Sequence, residues 1–282
     1  MMHCSNPPTR GKARTTQRAL WMYYGGTASH AHGDPLNLGY IAYDLDLMPD
    51  LGYPDTTSDA LAFFPRTTRS HNTVMVNGLP VDAYGEPTNF DDSGFVKLAS
   101  VNANGVAGIS NAPGGLYKRT TALIRISDED SYIVDLFDLN GGRNYEYSFH
   151  SGESESANTR YEGLELESSG ADELSVKNFR KHAGATNGSF SVDWNLQDTY
   201  NRYGNGAGAV TDVHLKVTML GDYEEVTIAD GIPPQNSLTN PKRLEYMFVK
   251  KQRFKNGLYF RHRALSGRIH DRFDRAAACR RG

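Results

Sequence analysis

Strand-length runs of alternating apolar and polar residues recur along this chain, separated by turn residues and with no sustained helical period. Residues 20–24 form a short aromatic run. Residues 36–47, LNLGYIAYDLDL, alternate partly, as a half-buried strand does. Residues 72–76, the pair Asn77-Gly78 and residues 79–81 read as a hairpin on a type I′ turn. Runs at 95–101, 116–126 and 131–139 follow. Asn140-Gly141-Gly142 then punctuates the chain before RNYEYSFH at 143–150. Later runs fall at 164–167, 174–179, 189–195, 211–220, 225–229, 244–250 and 257–262. Parallel folds need helical crossovers between their strands, and none is visible here. The expectation is all-β: a large antiparallel β-sandwich. One short helix is expected at 57–64, with Ser58 as its N-cap. The composition agrees, with 28 Gly, 16 Tyr and 12 Phe in 282 residues.

Residues 1–18 are polar, with Pro7-Pro8 and scattered Arg, and read as an unstructured leader. Residues 19–263 hold the strand signals. SGESESANTR at 151–160 marks a weak seam, and a single continuous sandwich remains equally open. Residues 264–282 read as a basic, disordered tail. Charge is uneven: residues 242–282 carry 13 Lys/Arg against 3 Asp/Glu, while the whole chain is at −3. That balance excludes an overall basic, nucleic-acid-coating protein. No apolar stretch is long enough to span a bilayer as a helix. The first twenty residues contain no apolar core of a signal peptide. Cys4 and Cys279 stand alone at opposite ends, which excludes a disulfide framework and a cysteine zinc site.

The densest polar cluster is Ser29-His30-Ala31-His32-Gly33-Asp34. Residues two apart share a face of an extended segment, so His30 and His32 start a pattern used by metal sites. His71 opens a later strand, and Asp44, Asp46 and Asp50 lie between. Spacing alone leaves two readings open: a metal site, or unconnected turn and surface histidines. His30 also suits acid–base work near neutrality. There is no Gly-x-Ser-x-Gly elbow and no phosphate-cradling loop. His150, His182 and His214 stand singly, as structural histidines do.

Four motifs in order resemble the β-sandwich domain of heparinase II/III-like polysaccharide lyases. They are Ser29-His30-Ala31-His32-Gly33-Asp34, then Asp50-Leu51-Gly52-Tyr53, then His71-Asn72-Thr73-Val74. The fourth is Arg119 followed by Asp135-Leu136-Phe137, Gly141-Gly142 and Phe149-His150. The resemblance covers residues 24–152. It implies a structural Zn2+ held by His32, Asp50 and His71; beside that set, Asp34 is expected to orient a ring nitrogen. It implies that His30 faces a substrate cleft, where it is the candidate assisting acid or base; Tyr53 is a second catalytic candidate, and Arg119 and His150 are candidates for touching substrate. A cross-strand structural role for Arg119 and His150 stays open beside that reading. The implied reaction is β-elimination at a uronic acid of an acidic polysaccharide, in a periplasmic or secreted setting. The family's cleft lies against an N-terminal α/α toroid, which this sequence lacks. The chain therefore reads as part of a longer protein, with little turnover expected from it alone. Two alternatives remain. One is a non-catalytic glycan-binding or interface sandwich. The other is a cupin-like metal enzyme, which the missing Glu after the histidine pair disfavours.

Overall fold

The computed structural model describes residues 2–6, 17–26, 32–52, 64–127, 130–170, 172–173, 175–203, 212–235, 237–252 and 258–266; the strands at 2–6 and 258–266 are described as backbone. The fold is the expected antiparallel one, and the described residues contain no α-helix. A four-stranded sheet pairs β1 (Met2–Asn6), β2 (Arg18–Met22), β3 (Leu38–Ala42) and β4 (Leu45–Asp46) in order. The later strands are β5 (Val74–Val76), β6 (Tyr84–Asp91), β7 (Val96–Asn104), β8 (Leu116–Arg125), β9 (Ser131–Asn140) and β10 (Asn144–His150). They continue with β11 (Arg160–Glu162), β12 (Leu166–Ser168), β13 (Val176–His182) and β14 (Phe190–Leu196). The last are β15 (Val213–Leu220), β16 (Glu225–Gly231), β17 (Leu244–Gln252) and β18 (Leu258–Ser266). One large sheet runs β12-β13-β16-β17-β10-β5, and the other β11-β14-β15-β18-β9-β8-β7-β6.

The two large sheets face each other across an aromatic core. Phe137 on β9 meets Tyr147 on β10 with ring centroids 6.3 Å apart, and Phe149 on β10 meets Trp194 on β14 at 5.6 Å. All four rings are fully buried. Burying a large apolar side chain is worth about 1.5–3 kcal/mol, so such cross-sheet pairs are what fasten the layers. The buried carboxylate of Glu245 on β17 also spans them, accepting from Trp194 Nε1 at 3.1 Å and from Tyr161 Oη at 2.8 Å. A second, smaller apolar cluster lies on the outer face of the six-stranded sheet. There Phe64, which opens the 3-10 turn Phe64–Arg66, packs with Phe179, Tyr246 and Phe248, and a second 3-10 turn, Thr68–Ser70, follows it.

Several expectations change. Met2–Asn6, placed in an unstructured leader by its polar sequence, pairs with β2 through main-chain bonds, which need no apolar side chains. Residues 36–47 are not one strand. The chain reverses at Tyr43-Asp44, both at positive φ, and returns as β4. β6 escapes sequence detection because Gly85 and Pro87 disguise it. It is the sheet's edge strand, where a missing N–H costs little, and a register shift falls between Pro87 and Asn89. Asn77-Gly78 does form the expected turn, with φ of 54° and 72°. Residues 151–160 divide nothing, because each large sheet takes strands from both sides of them. β18 runs to Ser266, past the expected limit at 263. The expected helix at 57–64 lies outside the described residues except for Phe64, which begins a 3-10 turn. No described helix is long and apolar enough to cross a membrane.

Candidate metal centre

Three loops meet at one edge of the sandwich. The first follows β2. Asp34-Pro35-Leu36-Asn37 is a hydrogen-bonded turn, Asn37 N–H to Asp34 C=O at 2.9 Å, with Pro35 second and Leu36 third. Leu36 has φ of 61°, a left-handed conformation that costs a non-glycine residue about 1 kcal/mol or more. Arg119 holds it there. Its Nη1 donates to the Leu36 carbonyl at 2.5 Å and to the Asn72 carbonyl at 2.6 Å. The same guanidinium makes a two-pronged ion pair with Asp135, at 2.8 and 2.6 Å, and neither side chain is exposed. Gly33 passes so close to Thr68 that an added Cβ would stand 3.0 Å from Thr68 Oγ1.

The second loop carries His71 out of the turn Thr68–Ser70. His71 Nδ1 lies 2.7 Å from the Thr67 carbonyl oxygen. A carbonyl only accepts, so Nδ1 carries the proton and Nε2 presents its lone pair. That lone pair faces His32 Nδ1 at 3.1 Å and Asp50 Oδ2 at 3.7 Å. The third loop carries Asp50. Its Oδ1 accepts from Gly52 N–H at 2.9 Å and its Oδ2 from Asn37 Nδ2 at 3.0 Å. Gly52 has φ of 65°, which a side-chain-bearing residue adopts only with strain.

One nitrogen or oxygen from each of His32, Asp50 and His71 therefore lies within 4.8 Å of the others. Two nitrogens bound tetrahedrally to zinc at about 2.0–2.1 Å stand about 3.3 Å apart, so the observed spacing suits such an ion. Electrostatics agree with the geometry. Burial lowers the pKa of His32 and drives that of His71 down to about 4, against the opposing pull of Asp50. Both shifts favour the neutral ring, which is the ligating form. Asp50 supplies one negative charge and stands on the open side, with its side chain 32% exposed. Asp34 is buried beside the cluster. Burial, helped by the Asp50 charge, pushes its carboxyl up to about 7, and its Oδ1 makes no hydrogen bond among the described residues.

Of the residues singled out from sequence, His32, Asp50 and His71 are brought together. His30 and Tyr53 lie outside the described residues. Arg119 and His150 are buried beneath the site: Arg119 grips loop carbonyls, and His150 Nδ1 donates to the Ser151 carbonyl at 2.9 Å while its ring lies 4.7 Å from that of Tyr246. Their placement fits the cross-strand structural role and presents no surface to a glycan. Sequence reasoning missed Asn37, whose single amide carries no spacing signature.

Fold and site together define a large antiparallel sandwich with a buried pair of imidazoles and one carboxylate at its edge. The chain belongs to the family described as heparinase II/III-like, C-terminal, whose profile matches residues 21–226. Among solved structures it is similar to heparan sulfate lyase HepC from Pedobacter heparinus, with a TM-score of 0.56 at 10% identity over 90% of this chain and 34% of that one. Heparinase III, the BT4657 gene product, gives a TM-score of 0.54 at 13% identity over 89% of this chain and 33% of that one. The chain thus spans only 34% and 33% of those two structures. No curated protein is a significant match.

Proposed function

We propose that this chain is the β-sandwich portion of a secreted or periplasmic polysaccharide lyase that cleaves uronic-acid-containing glycans by β-elimination. His32, Asp50 and His71 hold a structural zinc in this reading. The observation that carries it is the His71 Nε2 lone pair, turned by the Thr67 carbonyl toward His32 Nδ1 and Asp50 Oδ2. Bound there, the ion supplies rigidity, tying three loops to one point.

The consequence for chemistry follows from sequence proximity. His30 lies two residues before one ligand and Tyr53 three after another, so both belong to chain close to the ion in this reading. In β-elimination a base removes the C5 proton of the uronate, the C4–O bond breaks, and a 4,5-unsaturated sugar forms. The C5 proton is weakly acidic, so the sugar carboxylate must be neutralised and the enolate-like intermediate stabilised. His30 is assigned the assisting role beside the carboxylate, and Tyr53 a place along the cleft. The remaining groups belong to an α/α toroid packed against the sandwich.

Two measurements test this. Zinc content and thermal stability should fall together in His32→Ala and in His71→Ala and stay nearly unchanged in His30→Ala. In a protein that joins toroid and sandwich, His30→Ala should slow formation of unsaturated product by about 10²–10⁴-fold, read by ultraviolet absorbance. A wild-type rate in that variant removes His30 from the chemistry. The 282-residue chain alone should give little product from any uronate polymer, and vigorous turnover by it would show that the toroid is dispensable.

A further inference from the structure

Asp50 is the one residue of the cluster that can bind a cation in two ways, through one carboxylate oxygen or through both. The structure engages each oxygen separately. Gly52 N–H occupies Oδ1 at 2.9 Å, while Oδ2, the oxygen facing His71, also accepts from Asn37 Nδ2 at 3.0 Å. The Asn37 amide cannot turn round. Its Oδ1 accepts the Asn72 N–H at 2.9 Å, so only its NH2 group is left for Asp50. Asn72 is itself pinned: its Nδ2 donates to the Leu38 carbonyl at 3.1 Å, and its Oδ1 accepts the His150 N–H at 2.8 Å. Asn37 is buried and bridges the loop of His71 to the carboxylate of Asp50.

We propose that Asn37 is a positioning residue: it holds Oδ2, the oxygen that faces His71, while Gly52 N–H holds Oδ1, and together they fix Asp50 in a one-oxygen pose that tunes the site to a small tetrahedral cation such as zinc. Larger, oxygen-preferring cations gain from carboxylates free to offer both oxygens, which this clamp prevents. The inference rests on the metal reading of the preceding subsection and adds to it a residue and a selectivity.

The test uses the metal-free chain, titrated with Zn2+ and Mn2+ against a chromophoric chelator, and the visible spectrum of its Co2+ form. Asn37→Ala should weaken Zn2+ binding about 10–100-fold, the usual cost of removing a partner of a metal ligand. Mn2+ binding should fall less, narrowing the Zn2+/Mn2+ ratio, and the intense absorption of tetrahedral Co2+ should fade. An unchanged zinc affinity overturns the proposal. So does an equal loss for both metals with an unaltered Co2+ spectrum, which would mean that Asn37 only holds the loop. If Asn37→Ala does not fold, Asn37→Asp keeps the acceptor for the Asn72 N–H and removes the donor to Asp50. Its Co2+ spectrum should lose intensity, and a wild-type spectrum there overturns the proposal. Failure of the wild-type chain to bind Zn2+ is a separate result, and it sinks the metal reading itself.

Discussion

Burial pulls the pKa of His150 down to about 4 and lifts those of Asp34 and Asp46 to about 7. The two shifts act on stability with opposite sign. Free imidazole titrates at about 6.5, so the unfolded chain takes the His150 proton first. The stability tied to neutral His150 is complete above about pH 6.5 and is lost as the pH falls toward 4. For the buried acids it is present at low pH and lost as the pH rises from about 4 toward 7. Substitution separates them. The destabilisation caused by His150→Gln, measured by urea unfolding, should shrink between pH 7 and pH 5, and a constant difference would contradict the burial argument. Arg119 and Asp135 give a second residue-scale expectation. Asp135→Leu strands a fully buried guanidinium, which should cost about 3–5 kcal/mol in the same assay. Adding Arg119→Met should recover part of that loss. The three candidate ligands were reached through the family resemblance, because each sits in one of its motifs; spacing alone left a metal site and unconnected histidines both open. Asn37 was not reached, because its task depends on which loop lands beside it. Nor was the grip of Arg119 on a strained Leu36 carbonyl, since no local pattern announces a leucine at positive φ.

Among the elements, the segment from Phe64 to His71 matters most for the site, because it lies on the outer face of the six-stranded sheet with a ligand at its end. It is latched from below. Tyr246 Oη donates to the Ser70 carbonyl at 3.1 Å, and Arg69 pairs with Glu146 at 2.9 Å while its guanidinium covers the Phe248 ring at 4.3 Å. Tyr246→Phe removes one buried hydrogen bond and leaves the ring packing. It should cost about 1 kcal/mol of stability and weaken metal binding measurably in the same chelator titration. Unaltered metal binding would mean that the ligand loop holds its shape without the latch. Strand existence was readable from alternation, since β7 to β10 and β13 to β18 all fall on runs visible in the sequence. What alternation could not give is the partner of each strand. That choice is made by cross-sheet packing, such as Phe149 on Trp194, between residues far apart in the chain.

For the molecule as a whole, each large sheet draws strands from both sides of residues 151–160, so the chain before that stretch and the chain after it depend on each other. Unfolding in urea should be one transition. Far-UV ellipticity and the fluorescence of its two tryptophans should trace the same curve, and two separated midpoints would restore the seam as a domain boundary. The position of β18 has a further consequence. This final described strand does not cap an edge; it fills the gap between β15 and β9, pairing Leu258 with Phe137 and Val213 with Ser266. On a ribosome the two flanking strands emerge long before their filler does. Until residue 266 is clear of the exit tunnel, two open strand edges await the same late arrival, each able to pair with any other chain nearby. Synthesis speed and chaperone cover over that interval, rather than the strength of the finished sandwich, should govern how much of the protein reaches its native form.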